Sequence, residues 1–214
     1  MPSNDERVPE EKPSEDDWGA GEWQLSRALL RLACLALEGA RQELEASGCH
    51  APIQTSARER GARRIFMTFE EAFKQVTDLP ELLDCTRESA MLFKRIATSL
   101  SENDATASVA SLCDDPMCDR VLVAEQAILM NALFIHQRAE EFRRDVVAFT
   151  QSPPGSDLDP LGEAVMRSLH ELRVSALAGN QMVAEFNAAL TAWHNGKHIG
   201  ALALGCASTP RAIN

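Results

Sequence analysis

Two thiols stand five residues apart in Cys113-Asp-Asp-Pro-Met-Cys118, and Asp115-Pro116 between them has the form of a helix start. A helix N-terminus stabilises negative charge, so this turn could lower the pKa of Cys118 and favour the thiolate, the form that attacks electrophiles and ligates soft metals. A structural zinc site commonly uses two closely spaced ligand pairs, and no second Cys or Cys/His pair with that spacing occurs in the chain. The turn therefore reads as packed and inert, with Cys113 and Cys118 kept as contact residues, and no metal is expected. His194 and His198 have the spacing that puts two imidazoles on one helical face, but Asn195-Gly196 between them is expected to end the helix.

Other chemistries fare no better. A di-iron carboxylate bundle needs Glu-x-x-His on two helices, and the chain has none. No Ser/His/Asp order, phosphate-cradling glycine loop or nucleophile elbow stands out, so no catalytic residue or cofactor is assigned and the reading leans away from an enzyme.

Asn131 is the polar residue of most interest, because it interrupts a strongly apolar stretch from Ala127 to Ile135. A buried Asn needs partners, and such residues either fix helix register or line a polar spot in a cavity. Register is preferred. The alternative is a small-molecule-binding bundle or enzyme, with an apolar cavity near Asn131 lined by Met67, Met91, Met130, Met166 and Met182, and His136 is kept as a ligand or partner contact. Arg58, Arg60, Arg63 and Arg64 form a basic run that could hold an anion or an acidic partner segment, or could simply offset an acidic body.

The elements that must position these residues are helical. Val121, Ile128, Ile135, Phe142 and Phe149 recur every seven residues, as do Val165, Leu172, Gly179, Phe186 and Trp193. Each stripe follows an Asp-Pro start, and Pro153-Pro154-Gly155 must break the chain between them, which describes a long helical hairpin. Leu122, Leu129, Leu133 and Phe134 widen the first stripe, so that helix is expected to contact neighbours on several sides. Trp23, Leu25, Leu29, Leu32, Ala33, Ala36, Leu37, Ala40 and Leu44 predict an earlier helix stopping at Ser47-Gly48. Thr68-Phe-Glu-Glu71 fits a capping box opening a second helix, whose basic upstream stretch could extend it towards Ala57. Pro80 opens a third, with Leu82, Cys85, Leu92, Phe93 and Ile96 on its apolar side, and Ala105 to Leu112 reads as one short helix. The expected fold is all-α: an antiparallel bundle of about five main helices around the hairpin, spanning residues 21–196. An acidic tail (1–20) that stays disordered and a C-terminal tail (197–214) docked on the bundle complete the chain.

With 45% apolar and 25% charged residues over 214 positions, one folded domain is expected. The net charge of -11 argues against direct nucleic-acid binding, although Asp5, Glu6, Glu10, Glu11, Glu15, Asp16 and Asp17 against Arg7 and Lys12 account for -5 of it. No signal-like or membrane-spanning run is read, and the six cysteines look like reduced thiols, so the expected location is intracellular, cytoplasmic or nuclear, without membrane contact. Tyrosine is absent, which has no physical account.

Three stretches carry a resemblance: Cys34-Leu-Ala-Leu leading to Cys49, the turn ending in Cys118-Asp119 before an apolar helix, and Leu169-His-Glu-Leu-Arg173. With them the chain resembles the helical C-terminal regulatory domain of fungal aflatoxin-regulator-type zinc-cluster transcription regulators, over about Leu25 to Phe186. The characteristic cysteine-proline-cysteine element is replaced here by the longer Cys113 to Cys118 turn, and the six-cysteine DNA-binding cluster is missing. The resemblance implies a regulatory or partner-binding module, linked to secondary-metabolite gene clusters, that does not itself read DNA. The function expected is thus a non-catalytic regulatory or protein-interaction module with a protein partner; a homodimer through the hairpin is compatible with the pattern.

Overall fold

The computed structural model describes residues 20–53, 56–103 and 116–206, and every regular element among them is helical. The described residues form four helices: α1 (Ala20–Ala46), α2 (Ala57–Asn103), α3 (Pro116–Thr150) and α4 (Asp159–Cys206). The expected second and third helices are one 47-residue helix, with Pro80 inside it. An interior proline forfeits a backbone hydrogen bond and costs about 3 kcal/mol. The apolar spacing nevertheless runs unbroken across it through Phe69, Ala72, Val76, Leu79 and Leu83, all buried, so the packing on both sides outweighs the local defect. That phase buries Leu83 and leaves Leu82 on the rim, the reverse of expectation.

Thr68 does not cap anything; its hydroxyl donates back to the Arg64 carbonyl within the helix, at 3.1 Å. The capping box lies twelve residues earlier at Ser56-Ala-Arg-Glu59, where the Glu59 amide donates to Ser56 Oγ and the Ser56 amide to Glu59 Oε2, both at 3.1 Å. Helix α4 also differs from its predicted end, since it continues through Asn195-Gly196 to Cys206. Among the described residues only Gly48 and Gly155 take the left-handed conformation that stops a helix, with φ of 86° at each, so Gly196 stays in the right-handed region. Gly48 ends α1 where expected, and Gly155 turns the chain between α3 and α4. The α4 start is capped from outside by Asp157, whose Oδ1 accepts the Asp159 amide at 3.1 Å. The acidic tail, the short helix at 105–112 and residues 207–214 lie outside the described residues.

Pairing residues give the topology. Arg27 meets Asp84 at 2.7 Å and Arg41 meets Glu70 at 3.3 Å, so α1 and α2 run in opposite directions. Asn131 meets Ser175 and Arg138 meets Glu171 at 2.8 Å, which sets α3 against α4 in the same way. The two hairpins lie side by side in the same sense: Glu71 and Thr86 of α2 meet Arg173 and Asn187 of α4, while Gly39 and Glu43 of α1 lie beside Arg143 and Gln151 of α3. Neighbouring helices are thus antiparallel within each hairpin and parallel between hairpins, with α2 and α3 meeting across the diagonal.

Both seven-residue stripes are buried, and Phe142 stacks on Phe69 across the middle with ring centroids 5.2 Å apart. Such a pair adds about 0.5–1.5 kcal/mol beyond burial alone. Trp23 and Phe186 close one end at 5.5 Å; Phe149 closes the other against Gly61, where a Cβ would stand 2.6 Å from its ring. The buried side of α1 is Trp23, Ser26, Leu30, Ala33, Leu37, Ala40 and Leu44, whereas Leu25 and Leu32, expected inside, are about half exposed. Phe134 is likewise open, so the neighbours of α3 cover less of it than its sequence implied.

The relocated cap can be checked directly: Ser56→Ala is expected to lower stability in urea unfolding by about 1 kcal/mol, while Thr68→Ala stays within about 0.5 kcal/mol.

Candidate functional site

Asn131 sits on the inner side of α3, 8% exposed, facing α4. Its Nδ2 donates to the Ser175 carbonyl at 3.1 Å, a helical acceptor with a second lone pair to give. Its Oδ1 lies 2.6 Å from the position a Cβ on residue 179 would take, so this contact requires Gly179. The amide and the glycine together form a close helix–helix contact with a polar group at its centre. Beside it is a cavity of about 10 Å³, bounded by Leu30, Leu79, Leu83, Ile128 and Val183. That is room for one water molecule at most.

The other sequence candidates do not converge on that cavity. Met130 follows the next face of α3 outward and is 50% exposed; Met67 is 70% exposed on α2. Met166 and Met182 pack against the core from its margin, and the Met91 side chain lies outside those described. His136 is half-buried, and its Nδ1 is enclosed without a hydrogen-bond partner among the described residues. Cys113 lies outside the described residues, and Cys118 falls in α3 with its side chain outside those described. The helix runs through His194 and His198, contrary to the expected stop, yet no group of three or more metal-ligating side chains occurs among the described residues.

The basic run divides into two roles. Arg58 turns inward, its Nη2 donating to the Ser152 carbonyl and, at 3.0 Å, to the Ser152 hydroxyl, and so ties the start of α2 to the turn between α3 and α4. Arg60, Arg63 and Arg64 stay on the outer side of α2, exposed. Sequence reasoning had no means of separating Arg58 from the other three, because its partner lies 94 residues away.

Sequence reasoning also missed an outer apolar surface. Leu25, Leu32 and Leu35 on α1 are 48–69% exposed, and Val123, Met130 and Phe134 on α3 are 49–65% exposed. Along the described side chains of 24–35 and 120–137, the charged exposed groups are Arg31 and Arg120 alone. The spacing of Val123, Met130 and Phe134 was the available signal: the second and third stand seven and eleven places after the first, along a helix already apolar on its inner side.

The two described cysteines are poor nucleophiles. Burial pushes the Cys34 thiol above its ordinary pKa, and burial, reinforced by the Glu45 carboxylate, does the same for Cys49. A raised folded-state value means that these thiols stabilise the fold while neutral and that this contribution is lost as pH rises through the raised pKa. Iodoacetamide is therefore expected to label Cys49 in the native chain at pH 8 roughly tenfold more slowly than in urea, followed by mass spectrometry.

A double-mutant cycle tests the central contact. Gly179→Ala alone is expected to cost about 1–3 kcal/mol in urea unfolding, and to become neutral or favourable once Asn131→Ala removes the oxygen it meets.

No family model, curated protein or solved structure matches this chain.

Proposed function

We propose that this chain is a non-catalytic helical module that works by binding a protein partner, in a regulatory role. The observation that supports this reading is the exposed apolar surface of Leu25, Leu32 and Leu35 with Val123, Met130 and Phe134, on helices whose inner sides are already filled. Large apolar side chains grouped on the outer sides of two packed helices are costly in water, and such groups mark contact surfaces. The ligand-binding alternative draws little support, because the space beside Asn131 is only about 10 Å³, far below the several hundred that enclose a small organic molecule. No described helix is long and apolar enough to cross a membrane. The motif resemblance to aflatoxin-regulator-type domains extends the proposal to gene regulation accompanying secondary metabolism, through a partner that supplies the DNA contact.

Native mass spectrometry of the full chain purified from its own host tests this proposal. The expected species are the bare polypeptide and its complex with a partner protein, and a stoichiometric small molecule would overturn the proposal. Leu32→Asp with Met130→Asp, at half-exposed sites, is expected to leave Tm nearly unchanged and to abolish the complex.

A further inference from the structure

The first five turns of α2 carry charge that their own fold does not use. Over residues 57–74 each carboxylate is engaged: Glu59 accepts the Ser56 amide at 3.1 Å, Glu70 meets Arg41 at 3.3 Å, and Glu71 meets Arg173 at 2.8 Å. Three exposed cations of the same stretch have no carboxylate beside them among the described residues. Arg63, Arg64 and Lys74 make no ion pair with any described residue, and Arg60 stands exposed on the same side. Arg60, Arg63, Arg64 and Met67 follow the spacing that makes one helical face, with Lys74 seven places beyond Met67. Met67, 70% exposed, lies at the middle of this basic face.

Arg60 stands in the first turn of α2, where the partial positive charge of a helix N-terminus disfavours a guanidinium by a few tenths of a kcal/mol. Offsetting an acidic body would bring these arginines near carboxylates, and Glu59, Glu70 and Glu71 of the same stretch are already engaged. What remains is a cationic face with an apolar centre on a chain of net charge -11, fitted to a segment carrying carboxylates around one or two apolar side chains.

Resting on the interaction-module reading, we infer that Arg60, Arg63, Arg64, Lys74 and Met67 form a second docking face, whose occupant is an acidic amphipathic segment of a partner protein. The chain's own acidic residues 5–17 precede the start of α1, which lies at the opposite end of the bundle from the start of α2, roughly 40 Å away along a 27-residue helix. A segment supplied by a partner reaches the face without doubling back along α1.

The test uses the full chain and a fluorescein-labelled 18-residue peptide of Glu and Leu in helical register, with a Lys/Leu peptide of the same pattern and a 20-base-pair DNA duplex as comparisons. By fluorescence anisotropy the Glu/Leu peptide is expected to bind at least tenfold more tightly than the Lys/Leu peptide. Arg63→Glu with Arg64→Glu is expected to weaken that binding at least tenfold while leaving Tm nearly unchanged, since both side chains are exposed. Three results would overturn the inference: binding indifferent to that double variant, tighter binding of the duplex, or a carbodiimide cross-link from Lys74 to the chain's own residues 5–17 in the free protein. Peptide binding lost only in the Leu32→Asp, Met130→Asp variant would leave the interaction-module reading standing and remove the basic face from it.

Discussion

The close contact of the Asn131 amide with the Gly179 backbone fixes how far α4 can slide along α3, and the rest of the architecture follows from that register. A slide of one turn in either direction would bring Asn131 against Ala176 or Val183 and strip its hydrogen bond to Ser175, leaving a buried amide unpaired at a cost of about 1–3 kcal/mol. Because α3 also packs along α1 and α4 along α2, the same register decides which residues of all four helices meet. The polar contact is thus small in area and large in consequence. It selects one arrangement among several that the apolar stripes alone would tolerate, which is the use of a lone buried Asn best attested in helical assemblies.

Much of the fold was legible because it is written in spacing. The seven-residue stripes of α3 and α4, the glycine stop of α1 and the turn at Pro153-Pro154-Gly155 all act locally, and the structure has each of them. The misreadings arise where local and long-range terms compete. Pro80 and Thr68 look like boundaries in isolation, yet burial of Val76, Leu79 and Leu83 carries one helix through both. Leu25 and Leu32 fit a helical apolar face as well as Leu30 does, and only the position of α2 and α3 around α1 decides which of them is wet. The Asn131 contact was half legible: its need for a partner could be read, whereas Gly179 as that partner is 48 places away and looks in sequence like a weak point of the helix.

The surface divides the functional question in the same manner. Beside Asn131 there is room for one water molecule at most, and of the methionines expected to line a pocket Met166 and Met182 lie at the core margin while Met67 and Met130 face solvent. The exposed apolar and basic side chains lie on the outside instead, the first on α1 and α3 and the second on α2. The first could be inferred from an excess of apolar residues on α3, the second from the run of arginines, but Arg41 and Arg173, which take the carboxylates Glu70 and Glu71, could not be read from that run.

The side-by-side placement of the two hairpins also shapes how the chain reaches this structure. Each hairpin can close over a short connection or a modest loop, but the contacts joining them link residues such as Glu71 with Arg173 and Thr86 with Asn187, which are 102 and 101 positions apart. Loop-closure entropy must be met before those contacts give any return, so helical content alone is a poor guide to folding speed here. The hairpins should assemble early and dock late, with the sliding of α4 along α3 already settled when α1 and α2 arrive.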